Sequence, residues 1–187
     1  MRSLLPACLA WFLLISEIVV NRLRQPRAGF TIKDRRSYRM IWTVNVIAIT
    51  LAFFVAGWLP HARLPLAAWL FPVGLTLFAG GLFLRWYSIF HLGRFFTVKV
   101  AIADDHRLVD SGPYRFLRHP SYSGGLAAFF GVALMLGNAV SFFLIVVPIL
   151  AVYRLRIREE ERALLEALGE DYRAYMNRTW RLVPLVY

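Results

Sequence analysis

Four stretches of this chain run nearly free of charge over membrane-like lengths: residues 4–20, 40–59, 66–84 and a long tract from 122 to 153. A helix crosses a hydrocarbon layer of about 30 Å with about twenty apolar residues, so each of the first three predicts one span. The fourth is longer than a single span needs at about 1.5 Å per residue. It is interrupted by "LGNAVS", where Gly137 and Asn138 supply a turn. The tract therefore predicts a tight helical hairpin, which brings the total to five spans. Gly124, Gly125, Ala127, Ala128 and Gly131 crowd the start of the hairpin. Small residues do this where helix backbones pack closely in lipid. Beyond the hairpin the helical pattern continues to Leu168, breaks at Gly169 and resumes in "EDYRAYMNR".

Composition strengthens the membrane reading. Of 187 residues, 59% are hydrophobic and only 18% charged, more apolar surface than a soluble domain of this size needs. The predicted class is an all-α integral membrane protein, multi-pass, folded as one domain over residues 1–187. Residues 1–90 hold three spans and a basic connector, and residues 91–187 hold the polar motifs. The net charge of +11 would suggest nucleic acid in a soluble protein. Here the cations flank spans, where they set topology and meet membrane lipids, so no nucleic-acid partner is expected. Residues 21–39 carry seven Lys/Arg, residues 85–121 six and residues 154–187 seven, leaving only Arg2 and Arg63 elsewhere. With five spans these rich segments share one side, which the positive-inside rule makes cytoplasmic, together with the C-terminus. The opening "MRSLLPACLAWFLLISEIVV" has a signal-like apolar core, but Glu17 falls where a cleavage site would lie. A retained first span is the favoured reading. Cys8 is the only cysteine, and His61, His91, His106 and His119 have no ligand spacing, so no metal site is expected.

Two polar clusters on the predicted cytoplasmic side have motif-like content. In "RHPSY", Pro120 suits the first turn of a helix, which would place Ser121, Tyr122 and the following N–H groups at a positive helix end. That end can hold an anionic group, and an interfacial belt of Arg, His and Tyr is the equal alternative. In "RIREEER", Arg156 and Glu160 are four apart and share a helix face at the membrane border. Spacing alone leaves them as either a solvated ion-pair helix or part of a site. Neither nucleotide-binding glycine patterns nor a G-x-S-x-G elbow occurs.

Taken together, "LGRFF", "HRLVDSGPYRFLRHPSYSGG", the hairpin and "RIREEERALLEALGEDYRAY" resemble the isoprenylcysteine carboxyl methyltransferase family over residues 91–184. The resemblance implies an integral membrane enzyme that binds S-adenosyl-L-methionine in a cytoplasmic loop and C-terminal helices and releases S-adenosyl-L-homocysteine. The implied cofactor contacts are His106, Arg107, Leu108, Val109, Tyr114, His119, Pro120, Ser121, Tyr122 and Glu160. Lys99 falls where the family has another. Arg156 would be the substrate-positioning arginine, so Arg156 and Glu160 form the implied catalytic pair. The implied acceptor is a carboxylate on a lipophilic or prenylated small molecule or peptide, of the protein-S-isoprenylcysteine type. The location would be the inner membrane in a bacterium or the endoplasmic reticulum in a eukaryote. Nothing in the sequence specifies an oligomeric state. Phospholipid N-methyltransferases share parts of these motifs, as do NADPH-dependent sterol reductases. An ammonium acceptor would need a proton acceptor such as Glu160 or His119 and would gain nothing from Arg156.

Overall fold

The computed structural model describes residues 4–25, 29–34, 36–98, 100–103 and 105–184. Five helices dominate: α1 (Leu4–Leu23), α2 (Arg36–Trp58), α3 (Ala67–Leu92), α4 (Pro120–Met135) and α5 (Ala139–Arg178). Four of them, α1, α2, α3 and α5, are long and apolar enough to cross a membrane. The fifth expected span, α4, has 16 residues and is the shortest. Large apolar side chains on the outer faces, among them Trp11, Phe54, Trp69, Phe83 and Phe143, are exposed. Such a surface is intolerable in water over so many turns and natural against lipid.

The expected hairpin is present. Leu136, Gly137 and Asn138 join α4 to α5, with Gly137 at a φ of 59°. Asn138 caps α5 by accepting from Ser141 N at 3.0 Å, and its amide donates to Leu59 O at 2.9 Å. Ser141 Oγ donates to Ala52 O, which fastens α5 to α2 at a distance of 2.7 Å.

Helices α3 and α4 approach backbone to backbone. A Cβ on Gly81 would lie 2.6 Å from the carbonyl of Gly124, and one on Gly131 would lie 2.4 Å from that of Gly74. The small residues noted at the start of the hairpin are therefore half of a glycine seam, and Gly74 and Gly81 on α3 are the other half. In lipid such seams bring polar backbones together, which substitutes for the hydrophobic drive that is missing there.

Two features depart from the all-helical expectation and from its boundaries. A two-stranded antiparallel sheet pairs β1 (Phe30–Asp34) with β2 (Val100–Ala103), with Thr31 opposite Ile102. It ties the basic connector to the loop that precedes the polar motifs. In addition, α3 continues to Leu92 rather than ending near residue 84, so Arg85 lies inside a buried helix face. At about 1.5 Å per residue, the 40 residues of α5 extend far beyond a bilayer's hydrocarbon core. Gly169, at a φ of 57°, kinks its outer end as the sequence predicts.

Candidate functional site

The outer end of α5 and the start of α4 are joined by a buried polar clasp. After α5 the chain turns back, and residues 179–182 run alongside the segment entering α4. Arg118 N donates to Trp180 O at 2.8 Å, His119 N to Arg181 O at 3.2 Å and Trp180 N to Phe116 O at 3.0 Å. Glu161 is the centre of the clasp and is only 4% exposed. Its carboxylate accepts from Arg118 Nε at 2.9 Å and from Arg181 Nε at 3.0 Å. The His119 ring lies 3.3 Å from the same oxygen. The guanidinium of Arg118 also donates to Met176 O at 2.8 Å and to Thr179 O. A buried carboxylate with this many charge-assisted partners holds the loop rigidly.

Against the clasp lies an open cleft. Of the residues implied by the sequence, His106, Arg107, Leu108, Val109, Tyr114, His119, Ser121, Tyr122 and Glu160 line it together. Pro120 opens the first turn of α4 and does not line the cleft. Lys99 lies outside the described residues. The remaining walls are apolar and aromatic, chiefly Phe95, Phe96, Leu164, Leu168 and Tyr172, which lie within the quoted motifs but are not among the implied contacts. Tyr114 is buried and donates to Ser88 O at 3.3 Å, and burial raises its hydroxyl pKa, so it stays a neutral donor. The His106 ring packs against Phe95 with centroids 4.9 Å apart and the planes tilted by 60°. Burial lowers its pKa against the opposing pull of Asp105 and Glu160, so the neutral ring is favoured.

A second cavity adjoins the first among the long helices. Its walls include Leu14 and Glu17 from α1, Tyr38, Trp42 and Asn45 from α2, Arg85 from α3 and Arg156 from α5. Phe96, Thr97 and Tyr122 line both cavities and form the partition between them. Glu160 faces the first cavity and Arg156 the second, although they share a helix face. Tyr122 bridges them: its hydroxyl donates to Glu160 Oε2 at 2.7 Å and accepts from Arg156 Nε at 3.1 Å. Arg156 also donates to Val98 O at 2.9 Å, and it is 2% exposed. It is therefore no part of a solvated helix face. The i,i+4 pair alone is loose at 3.9 Å, and the tyrosine is what couples it.

Arg85 and Glu17 were not anticipated as site residues. Arg85 donates to Glu17 Oε2 at 2.5 Å and to Ser121 O and Oγ at 3.1 and 3.2 Å. The signal was available, because lone ionisable residues within apolar spans are rare and functional by default. Ending the third span near residue 84 counted Arg85 among loop cations, and Glu17 entered only as evidence about cleavage.

Comparison with known proteins agrees with this architecture. The sequence model of the isoprenylcysteine carboxyl methyltransferase family matches residues 73–166, half of the chain. Protein-S-isoprenylcysteine O-methyltransferase B of Arabidopsis thaliana is 37% identical over 63% of this chain and 61% of its own length. The Homo sapiens protein-S-isoprenylcysteine O-methyltransferase is 29% identical over 91% of this chain and 61% of its own length. The chain thus spans about 61% of the length of these curated relatives. The solved structure of a eukaryotic intramembrane Ras methyltransferase of the same family superposes with a TM-score of 0.64. It is 27% identical and covers 77% of this chain and 52% of that one. The matched segment begins in α3 and ends in α5, and so contains the glycine seam, the partition tyrosine and the paired Arg156 and Glu160. The chain is an integral membrane protein of the isoprenylcysteine carboxyl methyltransferase family.

Proposed function

We propose that this chain methylates a carboxylate on a lipid-borne, isoprenylcysteine-type acceptor at the membrane boundary, using S-adenosyl-L-methionine as methyl donor. One observation carries the reading: Glu160 and Arg156 belong to separate cavities that meet at Tyr122. Two reactants that must react in line need this arrangement, with one pocket each and a shared partition.

The outer cleft has the chemistry such a donor requires. Apolar and aromatic walls suit a flat heterocycle, and Glu160 suits a cationic centre. His106 Nδ1 is buried with no partner among the described residues, which leaves a polar atom for a ligand to satisfy. His106 to Val109, Tyr114, His119, Ser121 and Tyr122 would line the bound cofactor. When bound, it supplies an electrophilic methyl group on a sulfonium. The protein's own residues do the rest. Arg156, held by Tyr122 and Val98, receives the acceptor carboxylate, which is ionised near pH 7 and needs no general base. Tyr122 keeps the arginine and Glu160 in fixed register. The clasp around Glu161 holds the loop over the cleft and limits the entry of water. On this reading α4 is a fifth crossing, the C-terminus and outer cleft face the cytoplasm, and the acceptor enters sideways from lipid.

The test is methyl transfer from labelled S-adenosylmethionine to an N-acetyl-S-prenyl cysteine by the purified full chain in detergent. A base-labile methyl ester is the expected product. Transfer to a lipid amine instead, or a cofactor preference for NADPH, would overturn the proposal.

A further inference from the structure

Four tyrosines line the outer cleft: Tyr114, Tyr122, Tyr172 and Tyr175. Three have hydroxyls committed to the protein. Tyr114 donates to Ser88 O at 3.3 Å, Tyr122 to Glu160 Oε2 at 2.7 Å and Tyr175 to Tyr114 O at 2.7 Å. The fourth is different. Tyr172 is only 2% exposed, yet its hydroxyl has no hydrogen-bond partner among the described residues. A buried hydroxyl without a partner is uncommon, and one on the wall of a cleft points to a ligand that completes it. Local structure holds it there. Gly169, at a φ of 57°, turns the outer piece of α5. Tyr175, whose ring centroid lies 5.8 Å from that of Tyr172, pins this piece to the segment entering α4 through Tyr114 O and Leu117 O. Tyr172 is thus fixed in place with its donor uncommitted.

The surroundings select what that donor can meet. Glu160, Leu164, Leu168 and Tyr172 follow one another at four-residue spacing, and all four line the cleft. The two leucines make the stretch between Glu160 and Tyr172 apolar, which suits a flat ring. A phenol is neutral near pH 7 and donates a single hydrogen bond. Glu161 and Glu160 are close enough to act on it electrostatically, so a ligand carboxylate would meet like charge there. An uncharged acceptor on a ring fits instead. We propose that Tyr172 reads the base of the methyl donor, its hydroxyl donating to a ring nitrogen of the adenine. The inference rests on the S-adenosylmethionine reading of the cleft. It adds a base-reading residue beyond residues 73–166, the segment that the family model matches.

Calorimetric titration of the full chain in detergent tests it, using S-adenosylhomocysteine and its 1-deaza, 3-deaza and 7-deaza analogues. Each analogue replaces one ring nitrogen by C–H. One of the three should bind the unmodified chain about three- to tenfold more weakly than the parent, the size of one neutral hydrogen bond. Tyr172→Phe keeps the ring and removes the donor. It should weaken the parent by a similar factor and bring that one analogue within about twofold of it, because the two changes remove the same contact. A packing role for Tyr172 would leave the ratio of parent to analogue as it was. The melting temperature of Tyr172→Phe should match that of the unmodified chain, whereas Tyr175→Phe should lower it and keep the discrimination between analogues. A drop for Tyr172→Phe shows that the hydroxyl is used within the protein and overturns the assignment. Equal binding of all four ligands by the unmodified chain, or a preference that survives Tyr172→Phe, overturns it as well and leaves the cofactor reading standing. Failure of S-adenosylhomocysteine to bind removes the cofactor reading itself, and this assignment with it.

Discussion

The two cavities are built from opposite kinds of sequence. The outer cleft is walled by short runs of near neighbours: residues 95–97, 106–109, 118–119 and 121–122, closed by one face of α5. The second cavity takes its walls from α1, α2, α3, α4 and α5, with Phe96 to Val98 of the loop after α3 as its longest consecutive run. Consecutive residues can build the outer wall because its backbone is irregular, and an irregular segment can turn neighbouring side chains toward one ligand. A regular helix cannot, since its successive side chains are about 100° apart, so a span contributes residues about a turn apart, as Leu14 and Glu17 or Tyr153 and Arg156 are. A site lined by loops therefore leaves a motif in the sequence, whereas one lined by spans leaves isolated polar residues in apolar runs.

Glu161 and Glu160 sharpen the comparison most, being adjacent in sequence and assigned to different tasks. Glu161→Ala leaves Arg118 buried without its carboxylate and should destabilise the fold by about 3–5 kcal/mol. Thermal unfolding in detergent measures this loss. Glu160→Gln should leave the melting temperature near that of the unmodified chain while weakening cofactor binding by calorimetry. Equal destabilisation by both changes would erase the distinction between clasp and cleft.

Arg156→Ala tests whether the cavities are separate in function. It should lower turnover roughly ten- to a hundredfold, the loss of about 1.5–3 kcal/mol from a charge-assisted contact, while cofactor binding persists. Loss of both together would merge the two cavities into one site. Turnover near that of the unmodified chain would return Arg156 to a packing role.

The glycine seam offers a smaller effect, through the packing of α3, which supplies Arg85, against α4, which supplies Tyr122. Gly81→Val places a methyl-bearing carbon 2.6 Å from the backbone of α4, which forces α3 and α4 apart. The expected cost is about 1–3 kcal/mol of stability. Gly80→Val, at the adjacent position where a Cβ meets nothing within 4 Å, is the control and should unfold like the unmodified chain.

The smallest expected effect concerns pH and the outer cleft. The His106 pKa is lowered by burial, with Asp105 and Glu160 pulling the other way. Its folded pKa therefore lies below the ordinary value of about 6.5, and the neutral ring persists through neutral pH. Cofactor affinity should be flat above about pH 6.5 and fall on further acidification, as a second positive charge forms beside the sulfonium site. Folding stability carries the same sign, because the unfolded chain takes up the proton first as pH falls. His106→Gln should flatten the acid limb of the binding curve. An unchanged limb would assign it to another group.

Much of this protein is decided by the chain read alone. Hydropathy and length specify the long helices, Gly137 and Asn138 specify the hairpin, and Gly169 specifies the kink in α5, because each acts on its own few residues of backbone. The outer cleft is legible for the same reason, since its loop residues are near neighbours in sequence and carry a family pattern. The tertiary structure decides what depends on residues far apart. Glu17 meets Arg85 across 68 positions and Arg118 meets Glu161 across 43, and no local pattern announces either pair. The division of Arg156 and Glu160 between two cavities is likewise invisible along the helix, where spacing puts them on one face. It arises only when Tyr122, arriving on α4, inserts its hydroxyl between them.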